Sequence, residues 1–211
     1  SGDPAGALAE FDQGIRAWPN NAAARFLAGI AARDLGDWDR AISELRESVR
    51  ANNAETEAAL ELARIYYERA QYQPALVFAS QALQGRGGVQ QPEPYAIAAR
   101  AFTALGQLER ARKSIEALEQ HGFNSEALRE RMILEARVSG PIDALGLAAK
   151  SRIDPTGLGQ IELLEQVVGL SIEAKRPAAA LTQVDRAIAR EPKSPRLFEL
   201  RGDALAALAR D

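Results

Sequence analysis

A six-residue turn that returns along the whole chain restricts the fold more than any other feature. Its clearest copy is Gly36-Asp37-Trp38-Asp39-Arg40-Ala41. Glycine ends one helix, aspartate caps the next, and a small alanine follows where two helices must touch. Gly2-Asp3-Pro4-Ala5-Gly6-Ala7 stands 34 residues earlier, and Ala70-Gln71-Tyr72-Gln73-Pro74-Ala75 stands 34 residues later. Gly106-Gln107-Leu108-Glu109-Arg110-Ala111, Ser139-Gly140-Pro141-Ile142-Asp143-Ala144 and Lys175-Arg176-Pro177-Ala178-Ala179-Ala180 follow at intervals of 36, 33 and 36. A period of this length, marked by a helix–helix turn, is the mark of a helical repeat array. Each unit of such an array packs only on its neighbours.

The positions between the turns are patterned as well. Residues 22–55 supply Gly29, Ala32, Ala41, Leu45 and Ser48 around their Gly-Asp-Trp turn. Residues 56–89 supply Ala63, Tyr66, Tyr72, Ala75, Ala79 and Ala82, and residues 161–194 supply Val168, Ala180, Val184, Ala187 and Pro192. In this pattern the chain resembles the tetratricopeptide repeat family over essentially all of its 211 residues. The resemblance implies an all-α fold: a right-handed α-solenoid of antiparallel helix hairpins, about twelve helices in all, with a concave inner face. The expected division is one array over residues 1–211, with a half repeat at 1–21, full repeats at 22–55, 56–91, 92–124, 125–160 and 161–194, and a half repeat at 195–211. Because the array opens and stops inside a repeat, a fragment of a longer protein is expected.

Apolar residues at helical spacing predict helices over 4–17, 22–34, 38–51, 56–69, 73–84, 93–105, 108–120, 125–138, 142–151, 158–174, 178–190 and 195–209. Leu62, Tyr66, Leu76 and Leu83 are expected in the core, as are Tyr95, Phe102, Leu105, Ile115 and Leu118. Trp18 is expected to pack over a repeat junction and Trp38 to plug its turn. Gly85-Arg86-Gly87-Gly88-Val89-Gln90-Gln91-Pro92 reads as a flexible insertion. It is not a phosphate loop, since no strand precedes it and no Lys-Ser/Thr follows.

Composition argues against most chemistry. With 26 basic and 29 acidic side chains and a net charge of −3, there is no basic stripe for nucleic acid. The absence of cysteine excludes disulfides, thiolate metal sites and a cysteine nucleophile. No apolar run approaches the ~18 residues of a membrane span, so no membrane insertion is expected. The one histidine, His121, follows a predicted helix end, where it interacts with the helix C-terminus. No G-x-S-x-G elbow frames a serine. The expectation is a non-enzyme with no catalytic residue, no metal and no cofactor.

The resemblance also implies where a partner would lie, along positions 2, 5, 9, 12 and 13 of each first helix. The predicted groove is Phe26, Ile30 and Arg33 from one repeat, Glu57, Leu60, Arg64, Tyr67 and Glu68 from the next, and Arg100 from a third. The family's clamp for a C-terminal carboxylate, Lys and Asn at positions 5 and 9, is replaced by Phe26 and Ile30, Leu60 and Arg64, and Ala96 and Arg100. A chaperone-tail receptor is therefore not expected. Apolar surface beside arginine suits a protein or peptide segment with an acidic edge. The competing expectation is that Arg33, Arg64 and Arg100 pair with Glu57, Glu61 and Glu68. The equivalent positions of the fifth repeat, including Glu162, Glu165 and Glu173, are acidic.

Three functions are consistent with these residues. The first is a protein-binding scaffold, by analogy in bacterial envelope or secretion assembly, in the cytoplasm or on the envelope side, with the envelope favoured. The second is the substrate-recruiting arm of a larger enzyme such as a glycosyltransferase or peptidase. The third is self-association through the exposed faces of the first and last helices.

Overall fold

The computed structural model describes residues 3–52, 56–85 and 91–210. Among the described residues there are twelve helices and no strand. They are α1 (Pro4–Ala17), α2 (Ala22–Asp34), α3 (Trp38–Ala51), α4 (Thr56–Glu68), α5 (Tyr72–Gln84), α6 (Glu93–Ala104), α7 (Leu108–Gln120), α8 (Asn124–Ser139), α9 (Pro141–Lys150), α10 (Ile161–Glu173), α11 (Pro177–Arg190) and α12 (Pro195–Leu208). They fall into two compact units, Ser1–Gln107 and Leu108–Asp211.

The turns are built as the sequence requires. Among the described residues, five of them share one pair of backbone hydrogen bonds. Gly36 N–H donates to the Arg33 carbonyl at 2.9 Å and Asp37 N–H to that of Ala32 at 2.9 Å. The same pair recurs at Ala70 and Gln71, Gly106 and Gln107, Gly122 and Phe123, and Lys175 and Arg176. This arrangement satisfies carbonyls that a helix end leaves without partners, and it holds its first residue in the left-handed region. Glycine takes that conformation freely at Gly36 (φ 77°) and Gly106 (φ 72°), whereas Ala70 (φ 55°) and Lys175 (φ 59°) adopt it with a side chain. At the other side of the turns, the Asp37 carboxylate accepts from Arg40 N–H at 3.2 Å. Asn21 caps α2 in the same way, accepting from Ala24 N–H at 3.1 Å.

In the first unit each helix packs on the next from α1 to α6, and α4 also touches α6. Its core centres on Leu45, Leu62, Ala63, Ile65 and Tyr66, all buried, with the Tyr66 and Phe78 rings stacked at 5.5 Å between centroids. Gly29 shows why the eighth position of a repeat is small. A Cβ there would lie 2.7 Å from Leu45 Cγ and 3.3 Å from the Ala41 carbonyl oxygen. The second unit repeats the pattern from α7 to α12, with added contacts of α8 and α12 to α10. Its cores gather Met132, Leu163 and Leu170, and Leu164, Val168, Val184 and Leu197.

Several sequence expectations are corrected. Trp18 is 71% exposed and does not cover a junction. It lies at the C-cap of α1, where the backbone has left the helix and its apolar stripe. Trp38 is also exposed, because it opens α3 at the helix's first position instead of filling the turn. Leu76, Leu83, Tyr95, Phe102 and Leu105 are half-buried, while Ile115 and Leu118 are core. Helix α10 starts at Ile161 and not at 158. The preceding residues are held as a loop in which Asp154 accepts hydrogen bonds from Thr156 N–H at 2.9 Å and Thr156 Oγ1 at 2.8 Å. Arg190, at the end of α11, clamps that loop through Asp154 Oδ2 at 2.7 Å and Thr156 Oγ1 at 2.9 Å. The expected flexible insertion falls on residues 86–90, which lie outside the described residues.

Candidate partner-binding face

All nine predicted groove residues lie in the first unit, on α2, α4 and α6. Their charged members form one continuous ladder across the three helices. Arg33 donates through Nη2 to Asp34 at 2.9 Å and through Nη1 to Glu61 Oε2 at 2.7 Å. Arg64 donates to the other oxygen of Glu61. Its Nε and Nη2 then engage both oxygens of Glu93, the bidentate geometry that suits guanidinium to carboxylate. The hydrogen bonds to Glu93, reinforced by the charge of Glu61, push the Arg64 pKa above its ordinary value. Glu61 is the hinge of the ladder, with its side chain 11% exposed. A carboxylate so buried is stable only because it is paired.

Arg100 is placed differently. Its guanidinium lies over the Tyr67 ring at 5.6 Å, and Tyr67 in turn meets Tyr72 with 5.8 Å between ring centroids. Phe26 and Tyr67 are half-buried against the first core, Ile30 is half-buried, and Leu60 is a core residue. Glu57 and Glu68 are exposed. The competing expectation thus holds for Glu61, which pairs with both Arg33 and Arg64, while the further partner of Arg64 is Glu93 on α6 and not Glu57 or Glu68. With Asp34, Glu61 and Glu93 against Arg33 and Arg64, the ladder carries a charge of about −1.

The pairing rule that sequence reading missed is one of spacing. Arg33 and Glu61 are 28 residues apart, and Arg64 and Glu93 are 29 apart. Asp12 and Arg40 pair from α1 to α3 at 28, and Glu165 and Arg196 pair from α10 to α12 at 31, at a distance of 2.6 Å. Opposite charges a little less than one period apart would have signalled them, because equivalent helices of adjacent repeats lie side by side. In the second unit Glu165, Arg196 and Glu162 rim a cleft of about 420 Å³ floored by Ile161, Leu164 and Leu197. His121 is exposed, with its ring 6.4 Å from that of Phe123. Among the described residues no group of three or more His, Cys, Asp or Glu side chains is placed to hold a metal ion. Among them, too, no helix is long and apolar enough to cross a membrane.

Comparison with known proteins agrees with this architecture. Residues 1–56 and 26–88 match the family model for the tetratricopeptide repeat. No curated protein matches the sequence. Among solved structures, a thermophilic TPR protein of Thermus thermophilus superposes with a TM-score of 0.65 at 20% identity, covering 89% of this chain and 99% of its own. PilW, a type IV pilus biogenesis factor, gives a TM-score of 0.63 at 15% identity, covering 91% of this chain and 88% of its own. YrrB, a TPR protein with an unusual peptide-binding site, gives 0.54 at 17% identity, covering 91% and 97%. Identities this low speak for the fold alone.

Proposed function

From the premise that this chain is a tetratricopeptide repeat protein, we propose that it is a binding scaffold without catalytic activity, and that its first unit takes a partner polypeptide against α2, α4 and α6. The observation that carries this reading is the stack of Arg100, Tyr67 and Tyr72 beside the paired arginine–carboxylate ladder. Large aromatic and guanidinium surfaces held in place before binding lose little conformational freedom when a partner arrives.

The ladder changes the chemistry of the expected partner. An acidic edge would have to compete with Glu61 and Glu93 for arginines that are already paired. What the face offers instead is the half-buried apolar surface of Phe26, Ile30 and Tyr67, with the exposed carboxylates Glu57 and Glu68 beside it. We therefore assign the site a segment with apolar side chains and a flanking Lys or Arg. The resemblance in fold to a pilus biogenesis factor supports a bacterial envelope or secretion assembly as the setting.

The test is affinity capture from lysate with three baits compared by mass spectrometry: wild type, Tyr67→Ala, and Glu57→Lys with Glu68→Lys. A partner retained by wild type and lost from both variants, each checked for folding by circular dichroism, is the expected outcome. A partner captured equally by all three baits refutes the assignment of the face.

A further inference from the structure

The cleft of about 420 Å³ in the second unit lies where α10 starts, α11 ends and α12 begins. Its size falls within the ~300–1,000 Å³ of ordinary ligand pockets. Ile161, Leu164, Ala187 and Leu197 give it apolar walls. Glu162, Glu165 and Glu191 stand around it with one cation, Arg196.

The corresponding place in the first unit is tied together. There Ser48 Oγ, on α3, donates to the Ala22 carbonyl at the start of α2, at 2.8 Å. The equivalent residues of this repeat are Ala187 and Ile161, and alanine has no hydroxyl to make the tie. Both line the cleft, and α10 and α11 pack on each other less extensively than α2 and α3. The remaining wall is the loop that carries Pro155, Gly157 and Gly159. Arg190 clamps this loop at Asp154 and Thr156, Gly157 N–H donates to the Asp154 carbonyl at 3.0 Å, and Gln160 N–H donates to that of Gly157 at 3.2 Å. A wall fixed in this way costs little to order on binding.

The charges around the cleft do not balance. Arg196 is shared between Glu165 at 2.6 Å and Glu199 at 2.8 Å. Among the described residues the carboxylates of Glu162 and Glu191 have no ion-pair partner. The N-termini of α10 and α12 also open here without side-chain caps, but Glu162 in the first turn of α10 already offsets the positive end of that helix. Apolar walls beneath unpaired carboxylates are the complement of a lysine or arginine side chain, which lays its alkyl stem on apolar surface and keeps its charged head in water.

We propose that this cleft is a second recognition site, which takes an arginine or lysine side chain of a partner polypeptide. The alkyl stem lies against Ile161, Leu164 and Leu197, and the charged head meets Glu162 and Glu191. The volume exceeds that of one side chain, so an apolar neighbour in the same segment fits beside the stem. The site is independent of the reading of the first unit, which uses α2, α4 and α6.

The probes are the pentapeptide acetyl-Gly-Leu-Arg-Leu-Gly-amide and two relatives, one with glutamate for arginine and one with serine for both leucines. Each is titrated into the isotope-labelled chain and followed by amide chemical shifts in NMR. The arginine peptide should give saturable shifts at Gly157, Gly159, Ile161 and Arg196, with a Kd of about 0.1–1 mM. The serine peptide should bind more weakly and the glutamate peptide not at all. Glu162→Gln with Glu191→Gln should weaken the arginine peptide about tenfold, in a chain whose other amide shifts confirm the native fold. The absence of shifts at the cleft up to ~10 mM of the arginine peptide overturns the proposal, as do shifts confined to α2, α4 and α6, which would speak for the first-unit face alone. Equal or tighter binding of the glutamate peptide also overturns it, since the helix N-termini would then be receiving an anion. So does an affinity unchanged in the Glu162→Gln, Glu191→Gln chain.

Discussion

Replacing Ala70 by glycine should stabilise the first unit. Ala70 holds φ 55° at the end of α4, in a turn whose hydrogen bonds match those of Gly36. A residue with a Cβ in that region costs about 1–2 kcal/mol relative to its preferred conformations. Glycine removes that cost but adds about 0.4–1 kcal/mol of unfolded-state freedom. Ala70 is exposed, so losing its methyl group forfeits no packing. The expected net gain is about 0.5–1 kcal/mol, or roughly 2–8 °C in Tm for a unit of this size. The control runs the other way. A Cβ added at Gly36 would meet nothing within 4 Å, so Gly36→Ala isolates the backbone contribution and should cost about 1 kcal/mol or more. Melting followed by circular dichroism in the far ultraviolet reads both variants. A Tm lowered by Ala70→Gly, or unchanged by Gly36→Ala, would refute the view that these turns are conformationally equivalent and that only their residue type differs.

Three further outcomes are expected. Glu61→Gln should lower the stability of the first unit, read by urea titration, by about 1–2 kcal/mol, since two arginines then share a neutral acceptor; an unchanged midpoint would mean the ladder contributes nothing to folding. Hydrogen bonds from Arg190 and then Thr156 hold the Asp154 carboxyl at about 2, below its unfolded value near ~4, so its contribution is full above about pH 4 and is lost as pH falls toward about 2. Both partners are about half exposed, so the contribution is set at about 0.5 kcal/mol, and the stability gap between wild type and Asp154→Asn should be present at neutral pH and close near about pH 2. Gly29→Ala and Gly202→Ala should have opposite signs: the second gains about 0.5–1 kcal/mol of helix propensity, while the clash with Leu45 turns the first into a loss of about 1–2 kcal/mol, as paired thermal melts would report.

The turns were legible because they depend on local chemistry. Gly36 and Asp37 each act on backbone within a few residues, and Ala41 marks where the two helices touch, so their identities and spacing locate the hairpins almost to the residue. The helix over 22–34 and the one over 38–51 appear with those bounds. Reading failed where a residue sits at the end of an element. Trp18 and Trp38 are large and apolar, yet a helix terminus lies outside the 3.6-residue stripe, and both are exposed. It failed again over 158–160, where the apolar pattern extends past a loop fixed by Asp154, Thr156 and Arg190, a contact that spans 36 residues. At the candidate face, sequence reading named Glu61 as a partner of Arg33 and Arg64 but missed Glu93. Position numbers select Arg33 and Arg64, while part of the charge they meet comes from the adjacent repeat, Glu61 for Arg33 and Glu93 for Arg64.

That last failure has a constructive side. In a repeat array the residue directly beside a given position belongs to the same position, or one nearby, in the adjacent unit, so side-chain partners recur a little inside the period. Ion pairs at 28, 29 and 31 residues follow this rule on both second and first helices. An arginine tied in this way stitches two repeats together, and an acidic ligand could reach it only by displacing a carboxylate already in place. Arg33 and Arg64 carry that cost, since each would have to leave Glu61, and Arg64 would also give up a bidentate contact with Glu93. The Tyr67 ring presents a different surface. Arg100 from the next first helix lies over it and Tyr72 from the following turn lies beside it, so the ring is held in one orientation by a cation and a neighbouring aromatic. A ring fixed in this way offers apolar area with little freedom left to lose. On the proposed reading Tyr67 is therefore expected to contribute more to recognition than Arg33 or Arg64, and its replacement by alanine is the decisive bait in the capture experiment.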